Sequence, residues 1–292
     1  MKKIVILIIV MVIIISISIG LVVINSKESK DKQEQAIEVI AEEPAEIIIY
    51  DIEEGYLKVP YNNMANKNKY EWDKYLKNEN GILKYEDNIY TTKFGIDVSE
   101  HQKEIDWKKV KEAGVDFAIL RLGFRGYGKK GNIVLDETFE QNYKEASENG
   151  IEIGVYFFSQ AISSDEIKEE AEFVLSKIKG KNITLPVVFD LEKIKNDEAR
   201  TDNLTEQEIT NMTLQFCKII EENNYIPSIY ANAKTFTTKM KLELFNNYNK
   251  WYADYQEKPI YPYDFDMWQY SETGHIDGIE GNVDLNICFT KK

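Results

Sequence analysis

Histidine, cysteine and proline are all scarce in this chain of 292 residues, which holds two, two and six of them, with only fifteen glycines. So little proline and glycine excludes a collagen-like or low-complexity polymer and leaves long stretches free to form helices and strands. The two cysteines, Cys217 and Cys288, fall in a helical and a strand-like segment without C-x-x-C spacing, which predicts buried free thiols rather than a bridge. The two histidines, His101 and His275, lie beside no partner motif. His-rich zinc sites and Ser-His-Asp triads are therefore thinly supplied, and neither a metal nor a cofactor is expected. Positive charge is also short: 36 lysines and arginines face 50 acids, for a net charge of −14. With no clustered basic face in the sequence, a nucleic-acid partner is excluded. Carboxylate chemistry is what remains for catalysis.

The one long hydrophobic run is at the N-terminus. After Lys2 and Lys3, residues 4–24 are apolar except for Ser16, Ser18 and Gly20, long enough to span a bilayer as a helix. It predicts export, with residues 1–26 as an uncleaved membrane anchor. The alternative is a signal peptide cut near Ser18-Ile19-Gly20, leaving a secreted protein. Lys27, Lys30 and Lys32 blunt the positive-inside argument, so the outward orientation rests on the N-terminal position of the run. Residues 27–43 are charged and polar, a solvated spacer, whereas 44–93 hold too many aromatics, among them Tyr70, Trp72 and Tyr85, for a free linker. The first 93 residues thus divide into 1–26 and a spacer and pre-domain segment, 27–93.

From 94 to the end a rhythm sets in. Strand-like runs "FGIDVS", "FAILRLGF", "IGVYFFS", "PVVFDLE" and "PSIYAN" alternate with helical stretches around 106–113, 136–149, 165–179, 204–224 and 237–246. Three more runs, "KWYADY", "DMWQYS" and "VDLNICF", follow with turn-like connections only. Alternating strands and helices imply parallel βαβ units. Eight strands suffice for a closed, filled barrel, so the expected class is α/β, a TIM-like barrel over 94–292 that lacks its last helices. A doubly wound open sheet would need crossovers that the last three strands do not have.

In barrels of this kind the chemistry sits at the C-terminal ends of the strands. "PVVFDLEKI" carries Asp190 and Glu192 two positions apart, on one side of a strand whose other residues are apolar. Asp97 ends the first strand, between Ile96 and Val98, and Asp284 belongs to the eighth. Any one buried acid is ordinarily structural, but four converging acids raise one another's pKa and must be offset by something. Aromatic residues Tyr156, Tyr230, Trp251, Trp268 and Tyr270 gather at the same strand ends. Rings with carboxylates and no metal-binding histidines suit a sugar, the rings stacking on pyranose faces and an acid protonating the glycosidic oxygen.

"GIDVSEHQKEIDW" (95–107) resembles the D-V-S-x-x-Q…DW opening of the family 25 glycoside hydrolases, lysozymes of the Chalaropsis type. "VVFDLE" is similar to their D-x-E strand, and "DMWQYSETGHIDGIEGNVDLN" (266–286) to their closing W-Q-Y-S…V-D-x-N stretch. The resemblance implies a flattened (β/α)5β3 barrel and cleavage of the β-1,4 bond between N-acetylmuramic acid and N-acetylglucosamine in peptidoglycan. Carried over by motif position, Glu192 is the expected general acid, with Asp190 beside it to orient or stabilise. Asp97 and Asp284 complete an acidic ring, and Gln102 of the opening motif joins the substrate contacts. The expectation is that Glu192 is protonated while Asp190 stays ionised, in a catalytic domain that works as a monomer. One departure is Phe157, which stands where the family's third strand commonly has His. The chitinase-type family 18 pattern would require acids at Leu185 and Val188, so it is disfavoured. The remaining alternative is a catalytically silent module that holds wall glycan on the same barrel.

Overall fold

The computed structural model describes residues 44–292 except 80, 195 and 196, and within them Ala45–Lys292 form one compact unit. The apolar run at 4–24 and the spacer at 27–43 lie outside the described residues. No helix among the described residues is long and apolar enough to cross a membrane.

Two small hairpins come first, β1 (Glu46–Asp51) with β2 (Gly55–Pro60), and β3 (Tyr75–Lys77) with β4 (Leu83–Tyr85). The barrel follows. Its strands are β5 (Tyr90–Val98), β6 (Phe117–Arg125), β8 (Glu152–Phe158), β9 (Val187–Asp190), β10 (Pro227–Asn232), β11 (Asn249–Ala253), β12 (Met267–Gly274) and β13 (Val283–Lys291). From β5 to β12 each strand pairs in parallel with the next. β13 is antiparallel to both β12 and β5 and closes the ring. The connection from β12 to β13, residues 275–282, is too short for a crossover, which leaves only the hairpin direction. All eight expected strands are present. A ninth, β7 (Ile133–Leu135), which was not expected, hangs antiparallel on the outer edge of β6.

The helices are α1 (Trp107–Glu112), α2 (Phe139–Glu148), α3 (Ser164–Ile178), α4 (Glu206–Glu222) and α5 (Ala233–Thr238), one after each of the first five barrel strands. The starts follow from capping: Ser163 accepts from the Glu166 amide, and Thr205 forms a capping box with Glu208. The last helix differs from expectation. Asn232 caps α5 by accepting from the Thr235 amide at 2.9 Å, so the helix begins directly at the end of β10. The expected stretch at 237–246 is instead the end of α5 and a 3-10 turn at Leu242–Phe245.

Strand alternation divides the core into two layers. Ile96, Val98, Val187 and Phe189 face outward onto helix residues such as Val174, Ile178, Phe216 and Ile220. Phe117, Ile119, Val188, Tyr230, Trp251 and Met267 fill the barrel itself. Phe117 can cross the interior because Gly95, its register partner, has no side chain; a Cβ there would stand 2.3 Å from the ring. β12 and β13 have no helix outside them, and the N-terminal segment covers them instead. Tyr70 stacks on Phe289 at 3.7 Å between centroids, and Trp72 meets Trp268 edge-on at 5.6 Å. Both cysteines are free thiols, Cys217 fully buried under α4.

Candidate active site

The antiparallel register of β13 on β5 sets Asp284 directly opposite Asp97. Asp97 is buried and accepts hydrogen bonds from Asn286 Nδ2 at 2.7 Å and Gln269 Nε2 at 3.0 Å. The Gln269 amide nitrogen also donates to Asp284 at 3.1 Å. Its oxygen accepts from the hydroxyls of Tyr230 at 2.8 Å and Tyr255 at 3.0 Å, which fixes the amide with its nitrogen toward the acids. Trp251 Nε1 in turn donates to Asn286 Oδ1 at 2.8 Å. These bonds orient the two amides so that both Gln269 and Asn286 donate to Asp97.

Asp97 and Asp284 face each other across the register and accept from the same Gln269 amide nitrogen. Burial raises Asp97 to about 6, with the bonds from Asn286 and Gln269 opposing it. Burial, then the Asp97 charge, pushes Asp284 up to about 9. Of the pair, Asp97 is the member whose charge is supported, by the two amide donors aimed at it.

Asp190 ends β9 and is buried among the barrel residues, while Glu192, two positions on, is half-buried and reaches the cleft. Burial first, then the charges of Glu192 and Asp97, raise Asp190 well above the ordinary carboxylate range. The Glu192 charge is thus one of the two that raise Asp190. Against the expectation that Asp190 simply stays ionised, its full desolvation opposes the charged form. The offsetting cation is Arg121 on β6, which the sequence reading passed over. It is mostly buried, ion-paired to Asp136 at 2.7 Å and Glu100 at 2.9 Å, and its charge acts to lower Asp190.

The acid strand is held from behind by two buried residues that follow β8. The Ser159 amide donates to the Asp190 carbonyl at 2.6 Å, and Gln160 Nε2 donates to the Glu192 carbonyl at 3.1 Å. Ser159 is itself anchored on Glu170, a fully buried acid paired with Arg125 at 2.7 Å. Gln160 is anchored by Thr201 and Arg200 at 3.2 Å each. None of these residues carries a sequence signal beyond lying next to a strand end.

The aromatic expectations divide. Tyr156 and Tyr230 are brought to the acids, Tyr156 meeting the Trp251 ring edge-on at 6.2 Å. Trp251 is 2% exposed, so it supports the acid network from inside the barrel and offers no open stacking face. Trp268 and Tyr270 do not reach the mouth. They face the outer layer, Trp268 donating to the Asp254 carbonyl at 2.7 Å and the Tyr270 hydroxyl accepting from the Leu83 amide at 3.3 Å. Gln269, between them, is the inward residue, as its register partner Asn286 requires. Gln102 lies in the opening turn: its side chain accepts from the Ser99 amide at 2.9 Å in a capping box, and its nitrogen reaches the Asn282 carbonyl at 3.4 Å. Phe157 points into the outer layer against Phe173, away from the mouth.

Above the acids lies a cleft of about 620 Å³. Glu192, Asp284, Tyr230 and Tyr255 line one part of it. Among the described residues no group of three or more His, Cys, Asp or Glu side chains is disposed to hold a metal ion.

Residues 96–279, more than half of the chain, match the model of the glycosyl hydrolases family 25. The chain belongs to that family. Among its relatives are an uncharacterized protein, YegX, of Escherichia coli, 30% identical over 201 residues (66% of this chain and 68% of the relative). Lysozyme M1 of Streptomyces globisporus is 29% identical over 206 residues, 66% of each chain. Among solved structures, the bacterial lysozyme from Streptomyces coelicolor superposes with a TM-score of 0.56 at 26% identity, over 66% of this chain and 90% of its own. For a family 25 hydrolase the match ends short of β13's acid, yet Asp284 is in register with Asp97 and joins the same network.

Proposed function

We infer that this chain is a peptidoglycan hydrolase, a muramidase that cleaves the β-1,4 bond between N-acetylmuramic acid and N-acetylglucosamine. The observation that carries the reading is the gathering of four carboxyls at one mouth of a family 25 barrel whose relatives include named lysozymes. Glu192 is the general acid. It is the member of its pair that lines the cleft, and the buried acids behind it oppose a further negative charge there. Glu192 is left ionised when its proton passes to the leaving oxygen. Asp97, charged and fixed by two amide donors, faces the positive charge that develops on the sugar or its acetamido group. Asp284 stands opposite Asp97, and Tyr230 and Tyr255 offer ring and hydroxyl surface to the glycan.

The apolar run at 4–24 supports export, with the barrel held at the outer face of the membrane by an uncleaved anchor. Cell fractionation that recovered only a shortened, freely released protein would replace the anchor with a cleaved signal. The enzymatic reading is tested by digesting purified peptidoglycan and identifying the new reducing ends by mass spectrometry. Muramic acid ends are expected. Glucosamine ends would reject the bond assignment, and no new ends with retained sedimentation on the wall would make the barrel a binding module.

A further inference from the structure

The cleft has a wall that the family domain does not supply. Asp51, Ile52 and Glu53, the turn of the β1–β2 hairpin, line it together with Glu192 and Asp284, although the family match begins only at residue 96. The turn is built to stay in place. One carboxylate oxygen of Asp51 accepts from the amides of Glu53 at 3.0 Å and Glu54 at 2.9 Å, and Gly55 takes the left-handed conformation (φ 77°) that lets the chain reverse. Glu54 is ion-paired with Lys234 of α5, and Tyr56 accepts from Gln256 Nε2 at 3.1 Å, so both flanks are tied to the barrel. At the base of the hairpin Asn62 binds Glu243 and the Tyr263 hydroxyl. The second carboxylate oxygen of Asp51 is buried, and no described residue donates to it. An acceptor in that position gains from a donor on a bound molecule.

We propose that the β1–β2 turn is a glycan-binding element of the active site: Ile52 packs against a sugar ring of the peptidoglycan strand away from the scissile bond, and Asp51 and Glu53 accept from its hydroxyl or acetamido N–H groups. The inference rests on the muramidase reading and extends the site beyond the catalytic mouth. A half-exposed isoleucine beside carboxylate acceptors is the mixture that carbohydrate faces and edges require, apolar C–H surface bordered by donors. A contact that holds the ground state and the transition state equally lowers KM for long strands and leaves kcat alone.

The test uses the full chain carrying Ile52→Ala with Glu53→Ala, which keeps Asp51, Gly55 and the hairpin's ties. Hydrolysis of soluble, peptide-free glycan strands of four and of eight or more sugars is compared with the parent, and binding is measured calorimetrically in a Glu192→Gln background. Expected are a KM about tenfold higher for the long strand, corresponding to about 1.4 kcal/mol, a kcat within twofold of the parent, and an unchanged melting temperature. The affinity advantage of long over short strands should shrink by the same factor. Equal KM values and equal length dependence in parent and variant would overturn the inference and leave the muramidase reading intact. A parent that neither binds nor cuts these strands would overturn both. If the variant melted lower, Ile52→Val alone is the second probe: it keeps the apolar surface, so a structural defect would persist while a glycan contact would be restored.

Discussion

At the scale of single residues, the chemistry depends on which carboxyl can hand over a proton. Glu192→Gln keeps the hydrogen-bonding shape and removes the transferable proton. The expected outcome is a kcat at least about 10²-fold lower, at the modest end of what general acid catalysis contributes, with folding unharmed because a like-charge neighbour of Asp190 is gone. Steady-state release of muramic acid ends checks the rate and circular dichroism the fold. Near-full activity in this variant, with activity lost in Asp97→Asn, would move the acid to the other pair. The four acids were legible because alternation and barrel polarity both operate at this scale: D-x-E places two carboxyls on one side, and Ile96 and Val98 dictate where Asp97 points. Trp268 and Tyr270 were misplaced for a related reason. Residue type suggested sugar contact, but the same alternation, applied from Asp284 and Asn286 across the register, puts Gln269 inside and both rings outside. Arg121 stayed hidden because nothing in "ILRLGF" says that its charge is answered by Asp136 and Glu100 from other parts of the chain.

At the scale of elements, β12 has a polar inner edge and an aromatic outer one, and the outer edge is structural. Trp268 is fully buried against Trp72 and the Asp254 carbonyl. Trp268→Ala should therefore cost ~3–5 kcal/mol of stability, read as a lower urea midpoint, while KM for glycan stays near that of the parent. A raised KM at unchanged stability would return the ring to the cleft. The eight barrel strands were readable from their β-branched runs, and the lack of helices after the fifth strand followed from turn-like spacing. β3, β4 and β7, of three residues each, are too short to show a period and exist only because a neighbouring strand pairs with them. The break between α5 and the 3-10 turn was equally hidden, since an Asn cap at the end of a strand looks like ordinary strand sequence.

At the scale of the whole molecule, burial raises several acids: Asp284 up to about 9, Glu170 up to about 7, Asp254 up to about 6. A carboxyl whose folded pKa lies above its unfolded one adds stability that is fully present below the unfolded value and is lost as pH rises through the folded value. Asp136 works in the opposite direction. Burial opposes it, but bonds from Thr138 and the Glu100 amide and the charge of Arg121 hold it low, so its contribution is lost in acid. The urea midpoint should peak on the acid side of neutrality and fall between about pH 4 and pH 9. In Asp284→Asn the alkaline part of that fall should be shallower, and an unchanged profile would remove Asp284 from the account. The closure of the barrel has one more consequence. Asn286 and Asp97 hydrogen-bond across 189 positions of sequence, and β13 closes the barrel against β5. The acidic mouth therefore exists only once β13 has paired with β5, a non-local step of assembly. A barrel without β13 has neither Asp284 nor Asn286, and such a variant is expected to release no muramic acid ends.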